Sequence, residues 1–172
     1  MSKGPFVLIK HREISMAVDR IAGEIRRDYR YKNPLLIGIL KGSFIFMADL
    51  VRRINMPLEV EFIRLSSYGS NMESSGRIKV VSKLSSRINN RHIIIVEDII
   101  DTGLTTKFVM DSLMKRHPAS LKLCALTEKP ARRKIEVPID YLGFSVPDKF
   151  IVGYGIDWDE KYRYLSDICY IE

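Results

Sequence analysis

Apolar residues recur along this chain with two different periods, and the switches between them outline its elements. Ile14, Val18, Ile21 and Ile25 are spaced by four, three and four, with Ala17 and Ala22 beside them, which predicts an amphipathic helix over about residues 12–30, stopped by Asn33-Pro34. The run PLLIGILKG is short and continuously apolar, which predicts a strand; Phe44, Met47 and Val51 then resume helical spacing behind Ser43 as N-cap. LEVEFIRL alternates like a strand, the polar SSYGSNMESSGR after it reads as a loop, and residues 77–82 return as the partner strand. HIIIVED is apolar and β-branched up to its paired acids, as in a central parallel strand buried on both faces. DTGLTT opens a helix predicted to reach about Arg116, and LKLCALT and IDYLGF predict two more strands. This alternation predicts an α/β fold built on an open parallel sheet. From Pro147 onwards aromatic and glycine residues break the rhythm, and this stretch is expected to form a flap over the carboxyl edge of the sheet.

Composition narrows the class. At 172 residues, 46% hydrophobic and 28% charged, the chain suits a single domain, 1–172, with a continuous core. Cys124 and Cys169 sit in apolar runs without a CxxC or a Cys/His cluster, so buried free thiols are expected. His11, His92 and His117 have no ligand-like spacing. No run of about 18 uncharged apolar residues occurs, and the N-terminus lacks a leader pattern, so a soluble, cytoplasmic protein without a membrane partner is expected. The formal net charge of +7 suits either nucleic acid or a small polyphosphorylated substrate. Its basic residues are scattered, with Arg26, Arg27, Arg30 and Lys32 at a helix end and Arg132, Arg133 and Lys134 in a connection, so charge alone does not choose.

The segment IIIVEDIIDTGLTT, Ile93 to Thr106, carries the chemistry. Free backbone N–H groups and the positive end of a helix can surround a phosphate at a strand-to-helix turn; Thr102 and Thr105 add hydroxyl donors, and Gly103 permits close approach. A ribose anchored there by its 5-phosphate would present its 2- and 3-hydroxyls to Glu97 and Asp98, which can also help neutralise a magnesium complex. Asp101 is left to face a reacting base. The pattern differs from a Walker loop, which needs GxxxxGKS/T.

That segment resembles the phosphoribosyl pyrophosphate motif of the type I phosphoribosyltransferases. LKGSF at 40–44, SSYG at 66–69, VEDIIDTG at 96–103, EKP at 128–130 and PDKFIVGYGIDWDEKYR at 147–163 extend the similarity, over about residues 6–172, to the hypoxanthine-guanine phosphoribosyltransferase family. The resemblance implies an open, Rossmann-like twisted parallel sheet, with a core of about 13–145 and a small hood of about 1–12 and 146–172. It implies transfer of phosphoribosyl to N9 of hypoxanthine or guanine, with Mg2+ held by Glu97, Asp98 and Asp157.

By the same resemblance, Glu97, Asp98, Asp101, Thr102, Gly103, Leu104 and Thr105 would hold the ribose 5-phosphate, with Asp101 also the general base near purine N7. Leu40, Lys41 and Gly42, with a non-proline cis peptide between the first two, would bind pyrophosphate together with Arg163. Lys129, Phe150, Ile151 and Asp157 would form the purine pocket, Lys129 donating to the 6-oxygen and thereby rejecting adenine. Ser67 and Tyr68 would belong to a loop, residues 66–76, that closes over the reacting centre. The family also implies a homodimer or homotetramer, with the exposed face near the pyrophosphate loop as the contact.

Two features depart from the family pattern: Leu104 stands at a turn position that is basic in some relatives, and residues 82–91 lack the paired acids often found there. A xanthine-preferring enzyme, and a nucleotide-sensing regulator that binds nucleic acid on the same fold, are the alternatives. Asp101, Lys41, Arg163 and the Ser67-Tyr68 pair favour an enzyme, with no nucleic-acid partner expected.

Overall fold

The computed structural model describes residues 4–68, 77–80 and 84–172. In chain order its elements are β1 (Phe6–Ile9), α1 (His11–Tyr29), β2 (Leu35–Leu40), α2 (Phe44–Ile54), β3 (Glu59–Tyr68), β4 (Arg77–Val80), β5 (His92–Ile100), α3 (Leu104–Met114), β6 (Ser120–Glu128), β7 (Tyr141–Ser145), β8 (Phe150–Val152) and β9 (Ile168–Ile171). A six-stranded sheet runs in the order β4-β3-β2-β5-β6-β7, and all its pairings are parallel except β3 with β4.

The continuous apolar run of β5 follows from its place. Ile94 and Val96 face one core with α1 and α2, among Ile14, Ile21, Phe46 and Leu50. Ile93 and Ile95 face the other, with Val109 and Leu113 of α3. With both faces covered, Ile93 to Val96 are all apolar up to the site; each fully buried Ile or Leu contributes about 1.5–3 kcal/mol of transfer free energy.

Both chain ends join in a second sheet, ordered β1-β9-β8 and antiparallel throughout. This second sheet stands where the resemblance implies a small hood built from the N- and C-terminal segments. Ile151, Tyr154, Ile156 and Ile168 reach into the same core as α1 and α2. Polar contacts fasten it further: His11 N donates to Asp167 Oδ1 at 2.6 Å, and the Tyr154 hydroxyl donates to the Asp49 carboxylate on α2.

Several expectations need correction. The buried face of α2 is Phe46, Met47, Leu50 and Ile54, whereas Phe44 is 43% exposed. Its first four residues are all apolar, so spacing alone does not orient it. Ser43 precedes α2, but its buried hydroxyl donates back to Ile39 O at 2.6 Å and caps nothing. Glu97 and Asp98 do not end β5, because Ile99 and Ile100 go on pairing with Thr127 and Glu128. β3 likewise continues past Leu65, with Ser66, Ser67 and Tyr68 opposite Lys79, Ile78 and Arg77. These three residues are strand where a loop was expected.

Cys124 and Cys169 are free and buried. Among the described residues no helix is long and apolar enough to cross a membrane.

Candidate active site

Because β2 and β5 are parallel neighbours, their carboxyl ends deliver residues 40–42 and 97–101 to one place. There Leu40, Lys41, Gly42, Glu97, Asp98, Ile99 and Asp101 line a cavity of about 290 Å³, to which the turn into α3 and its first residues add Thr102, Gly103, Thr105 and Thr106. The Leu40–Lys41 peptide is cis, as the resemblance implies. The two segments crowd each other at Gly42, where an added Cβ would lie 1.9 Å from Asp98 Oδ2.

Glu97 and Asp98 are 6% and 9% exposed. Desolvation raises both carboxyls: Asp98 to about 6, and Glu97 well above the usual range, where the neighbouring Asp98 charge adds to the effect. The strand beneath them is pinned from β6, where the buried Thr127 hydroxyl donates to Asp98 O at 2.8 Å. Paired, desolvated carboxylates beside a cavity form a hard, all-oxygen donor set of the kind Mg2+ accepts. Among the described residues no three acidic, His or Cys side chains are arranged to enclose an ion. A cation that keeps its waters and uses one or two carboxylates with substrate oxygens needs no such cage, so these residues fit it.

At the turn into α3, Gly103 has φ +83° and stands at the N-cap. A Cβ there would come within 2.4 Å of Ile135 O, and Lys134 N and Ile135 N both donate to Thr102 O, at 2.9 and 3.1 Å. The missing side chain thus makes room for the protein's own connection after β6, in addition to the left-handed backbone it permits. Leu104 begins α3 and does not line the cavity, whereas Thr106, 2% exposed, does.

Asp101 lines the cavity with its side chain 40% exposed, and Arg132 Nε approaches its Oδ1 to 2.9 Å. The approach lacks the angle of a hydrogen bond, so this buried oxygen has an ion-pair contact only. Lys129 is 6% exposed and its backbone N donates to Ile100 O at 2.9 Å. Burial lowers its ammonium pKa, against the pull of the Asp101 charge.

The hood supplies the rest. Phe150 is 52% exposed and meets Trp158 edge-on, with ring centroids 6.4 Å apart. The Ile151 side chain is buried in the core, and its residue pairs with Tyr170. Arg163 donates to Gly155 O at 2.7 Å and pairs with Asp157 at 2.8 Å and Glu160 at 3.2 Å. Asp157 also accepts Glu160 N at 2.8 Å, and Lys41 Nζ lies 2.7 Å from Glu160. Gly155, at φ +98°, abuts the end of the β2 turn so closely that a Cβ would lie 2.4 Å from Gly42 O. The side chains of Ser67 and Tyr68, and residues 69–76 of the expected loop, lie outside the described residues.

The structure therefore gathers the 40–42 and 97–105 residues, Ile100 and Leu104 excepted, around one cavity, while Lys129, Phe150, Ile151, Asp157 and Arg163 lie outside its lining. Sequence reasoning missed Thr106, Arg132 and Glu160. Thr106 was inside the motif already singled out. Glu160 too was inside a quoted segment, 147–163, but neither it nor Arg132 is marked off by its local sequence from solvated surface charge.

Residues 8–159 match the phosphoribosyl transferase domain family. The chain is 44% identical to the hypoxanthine phosphoribosyltransferase of Haemophilus influenzae over 165 residues, 94% of this chain and 92% of that protein. It is also 44% identical to the hypoxanthine-guanine phosphoribosyltransferase of Aquifex aeolicus, over 96% of this chain and 94% of the relative. A crystal structure of a hypoxanthine-guanine phosphoribosyltransferase from Bacillus anthracis superposes with a TM-score of 0.92 at 41% identity, covering 100% of both chains.

Proposed function

The chain belongs to the phosphoribosyltransferase family, among its hypoxanthine-guanine members, and from that premise we propose how its residues divide the work. It is a purine-salvage enzyme that transfers the 5-phosphoribosyl group of phosphoribosyl pyrophosphate to N9 of hypoxanthine or guanine, giving IMP or GMP and pyrophosphate. The single observation that carries this reading is the cavity in which Lys41 and Gly42 meet Glu97, Asp98, Asp101 and the threonines of the α3 turn. The relatives described above are hypoxanthine or hypoxanthine-guanine enzymes, which favours this reading over a xanthine-preferring enzyme or a nucleic-acid-binding regulator.

The ribose 5-phosphate sits in the turn, taking N–H groups of the first turn of α3 and the hydroxyls of Thr102 and Thr105. Glu97 and Asp98 accept the ribose hydroxyls. In this role the buried pair gains donors that favour its charged form, offsetting the desolvation that raises both carboxyls. Glu97, Asp98 and Asp157 would hold Mg2+, which would supply positive charge to neutralise the pyrophosphate. Lys41 and Arg163 hold the leaving pyrophosphate at opposite sides, one from the β2 turn and one from the hood.

As the bond to pyrophosphate lengthens, the anomeric carbon becomes oxocarbenium-like, and N9 attacks it with inversion. Positioning and fixed charge account for most of the acceleration. Asp101 takes or holds the proton at purine N7. Lys129 donates to the 6-oxygen, and its buried ammonium is left badly paired if adenine presents an amino group there. Phe150 stacks on the base, and the backbones of Ile151 and Asp157 meet its edge. Ser67 and Tyr68 belong to the segment that shields the reacting centre from water.

A homodimer or homotetramer in the cytoplasm is the setting we favour, with exposed Phe44, Val60 and Phe62 as contact residues near the pyrophosphate loop.

The test is a base panel. Hypoxanthine and guanine, with Mg2+ and phosphoribosyl pyrophosphate, are expected to release pyrophosphate, whereas adenine is not. Lys129→Ala is expected to lower kcat/KM for hypoxanthine by roughly 10- to 100-fold, the size of a buried hydrogen bond to a charged group, and to narrow the gap to adenine. No turnover of any 6-oxopurine, or equal use of adenine by the wild type, would refute the assignment.

A further inference from the structure

We propose that Glu160 is a built-in competitor of pyrophosphate, its carboxylate occupying the two cations, Lys41 and Arg163, that the leaving group must take over. The inference rests on the reading of those two residues as the pyrophosphate cations. One carboxylate oxygen lies 2.7 Å from Lys41 Nζ and the other 3.2 Å from Arg163 Nη2, so each oxygen engages one cation. Two oxygens of a phosphate group would divide themselves between the same donors in the same way.

The surroundings suit a carboxylate that gives way. Glu160 has its side chain 64% exposed, so it can swing into water with little loss of packing. Its root is fixed: φ is +60°, and its backbone N donates to Asp157 Oδ2 at 2.8 Å. Rotation about the side-chain bonds is then enough to leave the cations.

Arg163, only 18% exposed, keeps Gly155 O and Asp157 as partners when Glu160 departs, and so stays in position. Lys41, 49% exposed, has Glu160 as its one ion-pair partner among the described residues. An arriving pyrophosphate therefore meets cations that are already neutralised, and a departing one is replaced at once. Glu160 weakens the grip on pyrophosphate and favours its release, without touching the purine or the ribose.

Isothermal titration of inorganic pyrophosphate in the presence of Mg2+ tests this, using the wild type, Glu160→Gln, Glu160→Ala, Lys41→Ala and Arg163→Ala. Both Glu160 variants are expected to bind pyrophosphate about threefold to tenfold more tightly, as befits the loss of two half-exposed ion pairs, with the larger gain at low salt. Lys41→Ala and Arg163→Ala are expected to bind it more weakly. If those two weaken binding while the Glu160 variants bind unchanged or more weakly, the site stands and Glu160 is a positioning residue, which overturns the competitor role. If Lys41→Ala and Arg163→Ala leave binding unchanged, the pyrophosphate assignment fails, and the competitor role fails with it.

Discussion

Gly42 and Asp98 are in such close contact that no side chain fits between them, since a Cβ on Gly42 would lie 1.9 Å from Asp98 Oδ2. A glycine is needed here for space, because a carboxylate from the next strand fills the position a side chain would take. Gly42→Ala must push Asp98 aside or move the β2 turn. The expected result is a fall in kcat/KM of about 100-fold, the usual scale for displacing a positioned group by about 1 Å. Overpacking is expected to cost about 1–3 kcal/mol of stability as well. Steady-state kinetics and a thermal melt check both; a variant with wild-type kcat/KM would show that Asp98 does not need its present position.

Asp101 is proposed to act on the proton at purine N7, a role exercised in the transition state more than in binding. Asp101→Asn keeps the shape and removes the base. It is expected to lower kcat by about 10²- to 10⁴-fold with a much smaller change in KM. An unchanged kcat with a raised KM would assign the residue to binding alone.

The contact between α2 and the hood is expected to make stability depend on pH. Burial by itself would raise the Asp49 carboxyl, but hydrogen bonds from Tyr154 and Arg52 and the charges of Arg53 and Arg52 outweigh it and hold the pKa below the usual 3.8. A carboxyl whose pKa is depressed by folding contributes stability that is fully present above its unfolded value and is lost as pH falls through the folded one. Asp49→Asn is therefore expected to melt about 5 °C below the wild type at pH 7, with that gap closing below about pH 4. Melting curves for both proteins at pH 7 and pH 3 decide it; a gap of equal size at the two values would rule out the linkage.

The sheet was legible where burial acts on both faces of a strand. From Ile93 to Val96 the strand is apolar at every position because two cores claim alternate residues, and this places β5 at the centre without further information. Its end was not legible, since Ile99 and Ile100 continue only because Thr127 and Glu128 are there to pair with them, and register between strands leaves no local trace. The face of α2 was obscured for a related reason: when nearly every residue of the first turns is apolar, the distant surface to be covered decides the rotation.

Within the site, the residues of the turn into α3 could be picked out as a group because they are contiguous, and all of 101–105 but Leu104 line the cavity. Arg132 beside Asp101 and Glu160 between Lys41 and Arg163 could not, because their meaning comes from partners 31 and 119 positions away in the sequence. Gly103 was recognised, but only half of its purpose: the backbone that crowds it belongs to Ile135.

The approach of Gly155 to Gly42 O has a mechanical consequence. With main chain resting against main chain, the hood cannot advance further towards the tip of β2, whatever side chains surround it. If Lys41 and Arg163 hold the leaving group as proposed, the distance it spans is gauged by backbone, like the fixed jaw of a caliper, and mutations among the nearby charges are expected to alter how firmly it is held without changing the opening into which it fits.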